Sequence, residues 1–248
     1  PYGDMARGDE RGRYLLMTED FQILYEGVSM PVRIKRSTRA RRLILRMDQT
    51  SEGGVLTIPS GATTKEAVLL AQQSAAWLYD KIQDRPARQM FYDGHVLSLL
   101  DTPVTIRHAP AERSGVQLNG SDLIVSGRAE HVQRRVFDWL KGHTKAVITP
   151  RAELMAYQLG RRVGKISVRN TRSRWGSCSH TGNLSFCWRL ILTPNWVLNY
   201  VIAHEVSHLA HMNHGPAFWQ TVEAFDVETD RARTWLNKNS ARLQRIGP

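Results

Sequence analysis

The segment VIAHEVSHLAHMNHGPAFW, residues 201–219, places four histidines and a glutamate among valine, isoleucine, leucine and alanine. His204 and His208 are four residues apart, so on a helix their side chains project from the same face, one turn apart. Together with Glu205 they form the pattern H-E-x-x-H, in which two imidazoles hold Zn²⁺ and the carboxylate acts on a water molecule at the metal. The sequence therefore predicts a metal-binding helix over about residues 194–211.

A catalytic zinc ion has three protein ligands and one open position, so a third ligand is needed. We favour His214, because Asn213 tolerates left-handed backbone geometry and Gly215-Pro216 cannot continue a helix, so the chain turns back there. His211 is then expected to pack or to cap the helix. Phe218 and Trp219 are expected to lie in the core and hold the His214 turn. The other candidates for the third ligand are His211, Glu223, Asp226 and Glu228.

The run TRSRWGSCSHTGNLSFCWRLILTPNWVLNYVIAHEVSHLAHMNHGPAFW, residues 171–219, resembles the YgjP-like metallopeptidase family. The upstream runs RRLILRM and GGVLTIPSGATTKEA are also similar to that family, so the resemblance covers about residues 30–245. It implies a zincin-type fold related to the SprT-like proteases. It also implies one Zn²⁺ per chain on His204, His208 and His214, with Glu205 as the general base that helps a metal-activated water hydrolyse a peptide bond.

Two other functions use the same motif. A zinc hydrolase that acts on a non-protein amide would need the same residues. A nucleic-acid-associated protein with a structural zinc would need the histidines but has no use for Glu205, which argues against it.

Residues of the loop and strand before the metal-binding helix are candidates for substrate binding. Arg174 and Trp175 could line a cleft or bind a substrate carboxylate, although Trp175 alternatively fills the core beneath the hairpin. Leu184, Ser185 and Phe186 form either an edge strand that pairs with an extended peptide or an interior strand. Cys178 either approaches the metal or is a small buried residue, and the second role is the commoner one.

The pattern of short strands and longer helices predicts an α+β protein rather than an alternating parallel-sheet protein. We expect a leader over 1–27, a β-rich part over 28–127 and a zinc metallopeptidase domain over 128–248. No internal repeat is visible. Two helices are expected to meet at Thr149-Pro150, because proline is best tolerated in the first turn of a helix. Strands are predicted within 31–58, 95–100, 103–108, 115–118, 122–125, 165–171 and 182–188, and further helices over 63–84, 216–224 and 229–243.

The net charge of +11 at pH 7 favours an acidic partner such as nucleic acid. Because alternate residues of a strand face solvent, the same charges also suit an ordinary wet sheet face. The N-terminal residues show no apolar signal segment, no run is long enough to span a membrane, and the two cysteines form no CxxC pair, so we expect a cytoplasmic protein. The basic residues crowd one segment: Arg33, Lys35, Arg36, Arg39, Arg41, Arg42 and Arg46.

Overall fold

The structure is a computed structural model that describes residues 20–48 and 51–248. Sheets and helices follow one another without the regular alternation of a parallel-sheet protein, so the α+β fold class is confirmed. The chain divides between Arg85 and Pro86 into two units, each with its own hydrophobic core. Residues 1–19 of the predicted leader lie outside the described residues, and a strand begins at Asp20.

A four-stranded sheet and two helices form the first unit. One face of the sheet buries alternate residues such as Phe21, Val32 and Leu56, and the helices cover that face with Ala71 and Leu78. The sheet order is β1-β2-β4-β3. Its elements are β1 (Asp20–Tyr25), β2 (Val28–Ser37), β3 (Ile44–Met47), β4 (Gly54–Pro59), α1 (Thr64–Gln73) and α2 (Ala75–Gln83).

The helix predicted over 63–84 is two helices, separated at Ser74. Its predicted start is confirmed, since the Thr63 hydroxyl accepts from the Glu66 N–H and the Glu66 carboxylate accepts from the Thr63 N–H. Ser74 has φ −97° and ψ 10°, outside the helical range, so α2 starts afresh after it.

The basic segment runs along β2, through the connection that follows it and into β3. Arg33 and Lys35 are exposed on the sheet face opposite to the buried residues, where Arg46 also lies. The remaining basic side chains are exposed at and beyond the end of β2, and binding of nucleic acid by this surface stays a prediction. They are Arg36, Arg39, Arg41 and Arg42.

The second unit begins with a four-stranded sheet of order β5-β6-β8-β7, followed by the helices and strands that build the site. The sheet comprises β5 (Val96–Leu99), β6 (Thr102–His108), β7 (Val116–Asn119) and β8 (Asp122–Val125). The later elements are α3 (Val132–Gln158), β9 (Ile166–Arg169), β10 (Gly176–Cys178), β11 (Leu184–Cys187), α4 (Asn195–Ser207), α5 (Pro216–Glu223) and α6 (Thr229–Leu243).

This division places the strands of residues 96–125 with the C-terminal half, whereas the sequence predicts a boundary at 127/128. The reason is packing: Leu123 and Val125 of β8 share one buried cluster with Val136 and Leu140 of α3. The sheets of the two units also repeat one pairing pattern, antiparallel, parallel and antiparallel from edge to edge, which the sequence does not reveal.

The prediction of two helices meeting at Thr149-Pro150 is wrong, since α3 runs unbroken through Pro150. A proline inside a helix removes one backbone hydrogen bond. The helix continues because Leu140, Ile148 and Ala152, on both sides of the proline, are fully buried on one stripe. Tertiary packing of that stripe outweighs the local preference of proline.

A three-stranded sheet of order β10-β11-β9 precedes α4, the helix that is predicted to bind a metal. Its strands β9 and β11 are predicted, but β10 falls in the run RSRWGSCSHTG, which we interpret from sequence as turns. Helix α4 then buries Val197, Ile202 and Val206 against α3 and the later helices. Among the described residues, no helix combines the length and apolar character that a membrane span requires.

Candidate metal centre and active site

Three imidazoles come together at the end of α4. His204 and His208 lie one turn apart on that helix, and the turn before α5 brings His214 back to them, as its sequence context predicts. One nitrogen from each ring lies within 4.8 Å of the other two. Within residues 20–48 and 51–248 this is the one group of three or more histidine, cysteine, aspartate or glutamate side chains that could hold a metal ion. His211 and the acidic residues of 223–228 are not part of it.

The chain fixes which nitrogen of His208 is available. Its Nδ1 lies 3.0 Å from the backbone oxygen of His211, and because a carbonyl oxygen only accepts, Nδ1 carries the proton. In the neutral ring the lone pair then lies on Nε2. His211 therefore acts on the cluster through its backbone, and such an outer hydrogen bond is the usual way of orienting a metal-ligating histidine.

Burial keeps two rings of the cluster in the form that binds metals. It lowers the pKa of His204 to about 4, with further contributions from His208 and His214, and it also lowers the pKa of His208. These two rings are therefore neutral near pH 7. Phe218 is fully buried beneath the cluster, with its ring centroid 4.6–4.9 Å from all three imidazoles, in agreement with its expected role in the core.

The distance between two of the rings fits a zinc ion. Two nitrogens bound tetrahedrally to one zinc at about 2.0–2.1 Å lie about 3.3–3.4 Å apart. The Nε2 atoms of His204 and His214 are separated by 3.1 Å. Three histidines also match the donor set of a catalytic zinc site, which keeps a further position open.

Glu205 follows the first histidine on α4. It is 6 % exposed, and this burial raises its pKa to about 7, while the charge of Arg174 acts in the opposite direction. A carboxyl group with a pKa near 7 exchanges protons readily at neutral pH.

Gly176 of strand β10 makes room for this carboxylate. A Cβ atom at position 176 would lie 2.5 Å from Cγ and 2.6 Å from Cδ of Glu205, closer than real contacts allow. The sequence alone does not mark Gly176 as a site residue. A glycine inside a strand often marks the close approach of another group. That pattern cannot be recognised at Gly176 from the sequence, because the strand β10 is not predicted.

A cleft of about 280 Å³ opens beside Glu205 and His204. Arg174 and Trp175 line it, and substrate binding by these two residues stays a prediction. Trp175 also packs against the buried core, so its structural role and its place in the cleft coexist. The cleft is completed by residues that sequence reasoning missed, among them Gly176, Tyr200, Arg233 and Asn237.

The interpretation of Leu184, Ser185 and Phe186 as an edge strand is wrong. Strand β11 pairs with β10 on one side and with β9 on the other, so neither of its edges can accept a peptide. Leu184 and Phe186 are buried, and none of the three residues lines the cleft. The sequence could not distinguish these alternatives, because an interior strand and an edge strand of four residues carry the same apolar pattern.

Cys178 does not belong to the histidine cluster. Its thiol is half-buried and donates a weak hydrogen bond to the backbone oxygen of Ser179 at 3.4 Å. Burial and the neighbouring Glu205 raise its pKa to about 11, so the thiol stays protonated in the metal-free protein.

The family model of the YgjP-like metallopeptidase domain matches residues 41–239, most of the chain. This chain belongs to the YgjP-like family. The match includes β10, α4, the His214 turn and α6 as far as residue 239. Curated protein sequences gave no significant match. One solved structure is similar, the zymogen of the metallopeptidase abylysin of Pyrococcus abyssi, which is 21% identical with a TM-score of 0.34 and covers 41% of this chain and 99% of that one.

Membership of the YgjP-like family makes the expected activity that of a metallopeptidase, and it implies a bound metal ion. The histidine cluster, Glu205 and Gly176 all lie inside the matched residues. The two units also both contribute to the match, since it begins in the connection before β3.

Proposed function

We propose that this protein hydrolyses peptide bonds, with Zn²⁺ held by His204, His208 and His214 and with Glu205 as the general base. The observation that carries the proposal is the position of Glu205. Glu205 is buried, follows His204 of the three-imidazole cluster in the chain, and lines the same cleft as His204. A structural metal site has no use for a buried carboxylate that is not a ligand, since burying it costs free energy.

The bound zinc would supply a water molecule with a pKa near 7 and a Lewis acid for the substrate carbonyl. The chain's own contribution begins with the three imidazoles. His204 and His208 are kept neutral by burial, so their lone pairs are available for the metal near pH 7. The His211 backbone oxygen and the Phe218 ring hold the imidazoles in place.

Glu205 moves the proton. In its ionised form the carboxylate accepts a proton from the attacking water and then delivers it to the nitrogen of the leaving amine. A pKa near 7 suits both halves of this transfer, because the group neither holds nor releases the proton too strongly. Gly176 allows the carboxylate to lie against the backbone of β10, which restricts its position.

Strand β10 is the element that we propose for binding an extended peptide, in place of β11. It is an edge strand of its sheet, and in the described part of the chain it pairs with β11 alone. A peptide added to its outer edge would run past Gly176 and therefore past Glu205. Backbone hydrogen bonds of this kind bind many sequences, so side-chain specificity must come from the cleft.

A zinc hydrolase of a non-protein amide remains the second candidate, since it would use the same cluster and carboxylate. The open edge of β10 favours the peptide. The two candidates are separated by offering the zinc-loaded protein an unfolded protein and a panel of small amides.

The test is hydrolysis of an unfolded protein by the purified chain, with and without a chelator, together with metal analysis of histidine variants. We expect zinc-dependent cleavage and about one zinc per chain. Alanine at any of the three cluster positions should abolish both, whereas His211→Ala should keep both, because only its backbone is used. Loss of zinc in His211→Ala but not in His214→Ala would refute the ligand set. Zinc-loaded protein that cleaves no unfolded protein would refute the peptidase proposal.

A further inference from the structure

Two arginines face the cleft beside Glu205. Arg174 lies in the connection before β10, and Arg233 lies in the N-terminal half of α6. Both line the cleft together with Glu205 and His204, although they are 59 positions apart in the sequence. Two guanidinium groups around one carboxylate give the cleft an excess of positive charge.

Neither guanidinium forms a hydrogen-bonded ion pair with an acidic side chain of the described residues, although Arg174 acts electrostatically on Glu205. Arg174 makes no side-chain hydrogen bond or ion pair with any residue of 20–48 or 51–248. Arg233 lies 3.7 Å from Asp230, too far for a hydrogen bond, and the Asp230 side chain is 98% exposed, so solvent screens the pair. The ring of Trp219 lies 5.5 Å from the Arg233 guanidinium and holds it by a cation–π contact.

The remaining lining of the cleft suits a short side chain that ends in a polar group. Trp175, Val201 and Leu236 give it an apolar wall, while Tyr200 and Asn237 add a hydroxyl and an amide. Its volume of about 280 Å³ lies just below the range of about 300–1,000 Å³ for small-ligand sites. The cleft thus has room for one or two residues of a peptide.

We propose that this cleft binds a carboxylate of the substrate next to the bond that is hydrolysed, with Arg174 and Arg233 as its partners. A guanidinium presents its N–H groups in a planar fork that matches a carboxylate better than it matches an amide or a hydroxyl. The carboxylate belongs either to an acidic side chain or to the C-terminus of the peptide. The inference rests on the proposed peptidase function, whose substrate class it narrows.

The experiment measures binding rather than hydrolysis. Zinc-loaded Glu205→Gln protein, in which Arg174 no longer faces a carboxylate of the chain itself, is titrated calorimetrically with three peptides of otherwise identical sequence. The first has a glutamate and an amidated C-terminus, the second a glutamine and an amidated C-terminus, and the third a glutamine and a free C-terminus. Metal-free wild-type protein provides a second set of titrations in case the variant is unstable.

We expect the first or the third peptide to bind about tenfold or more tightly than the second, since hydrogen bonds to charged groups are the stronger ones. Which of the two binds tightly identifies the source of the carboxylate. Arg174→Gln and Arg233→Gln should each reduce the difference, whereas Arg242→Gln, on the same helix as Arg233 but outside the cleft, should retain it.

Equal binding of all three peptides, or no binding of any, would overturn the inference. So would an unchanged preference in both cleft variants. If wild-type protein with zinc hydrolyses the neutral and the acidic peptides equally well, the peptidase function stands and the carboxylate site does not. If the binding preference is present but no peptide is cleaved, the carboxylate site stands and the peptidase function fails.

Discussion

Replacing Glu205 by glutamine in the metal-free protein should increase the free energy of unfolding, and the gain should grow as the pH rises. The carboxyl group is 6 % exposed, and burial raises its pKa from 4.5 to about 7. When the pKa of a carboxyl group is higher in the folded than in the unfolded state, its contribution to stability is fully present below the pKa of the unfolded state. That contribution is lost as the pH rises toward the pKa of the folded state. The loss therefore falls between pH 4.5 and about pH 7.

The size of the effect follows from the shift of the pKa. At 1.36 kcal/mol for each pKa unit, the ionised carboxylate costs about 3 kcal/mol at pH 8, of which roughly 1 kcal/mol is already present at pH 5. Glutamine has nearly the same shape and no charge to desolvate. We therefore expect the advantage of Glu205→Gln over the wild type to increase by about 2–3 kcal/mol from pH 5 to pH 8.

The assay is urea unfolding of both proteins after chelation, followed by tryptophan fluorescence. Trp77 lies in the first unit and the other six of the seven tryptophans lie in the second, so the signal reports mainly on the unit that contains Glu205. The histidines are common to both proteins, and their titration cancels in the difference. Glu153→Gln, at an exposed position of α3, is the control and should show no such growth. A difference between Glu205→Gln and the wild type that stays constant with pH, or that favours the wild type at pH 8, would refute the reasoning.

Two further predictions concern the site and the basic segment. Gly176→Ala should keep its zinc but hydrolyse peptide at least about 10²-fold more slowly, because a methyl group displaces the Glu205 carboxylate from its place against β10. Zinc analysis and a peptide assay test this, and a near wild-type rate would contradict it. Replacing Arg39, Arg41 and Arg42 by serine should leave hydrolysis of a short peptide unchanged and weaken any salt-sensitive binding of DNA, measured by fluorescence anisotropy. Wild-type protein that binds no DNA at low salt would remove the nucleic-acid hypothesis.

The secondary structure was largely predictable where periodicity and turn residues agree. The strand 122–125 and the helix 229–243 have the bounds that the sequence predicts. The errors occur where tertiary contacts override local preference. The buried stripe of α3 carries the helix through Pro150, and β10 is a strand of three residues that β11 holds by its backbone hydrogen bonds.

The candidate site divides in the same way. His204, Glu205 and His208 are close in sequence on one helix, and Gly215-Pro216 marks the turn that returns His214, so spacing was enough to predict their proximity. Residues from β10 and α6 approach Glu205 only through the tertiary fold. No sequence spacing connects Gly176 or Arg233 to α4. Gly176 is recognised by its close approach to Glu205, and Arg233 by its place in the lining of the cleft.

The central claim, that Glu205 transfers the proton in a zinc-dependent hydrolysis, is tested most directly by the rate of zinc-loaded Glu205→Gln protein. The zinc content and the rate of peptide cleavage are measured on the same preparation, next to the wild type and Glu153→Gln. We expect about one zinc per chain in all three proteins and a loss of about 10²–10⁴-fold in rate for Glu205→Gln alone, since general acid–base assistance is worth that much. A fully zinc-loaded Glu205→Gln protein that cleaves peptide at nearly the wild-type rate would contradict the mechanism.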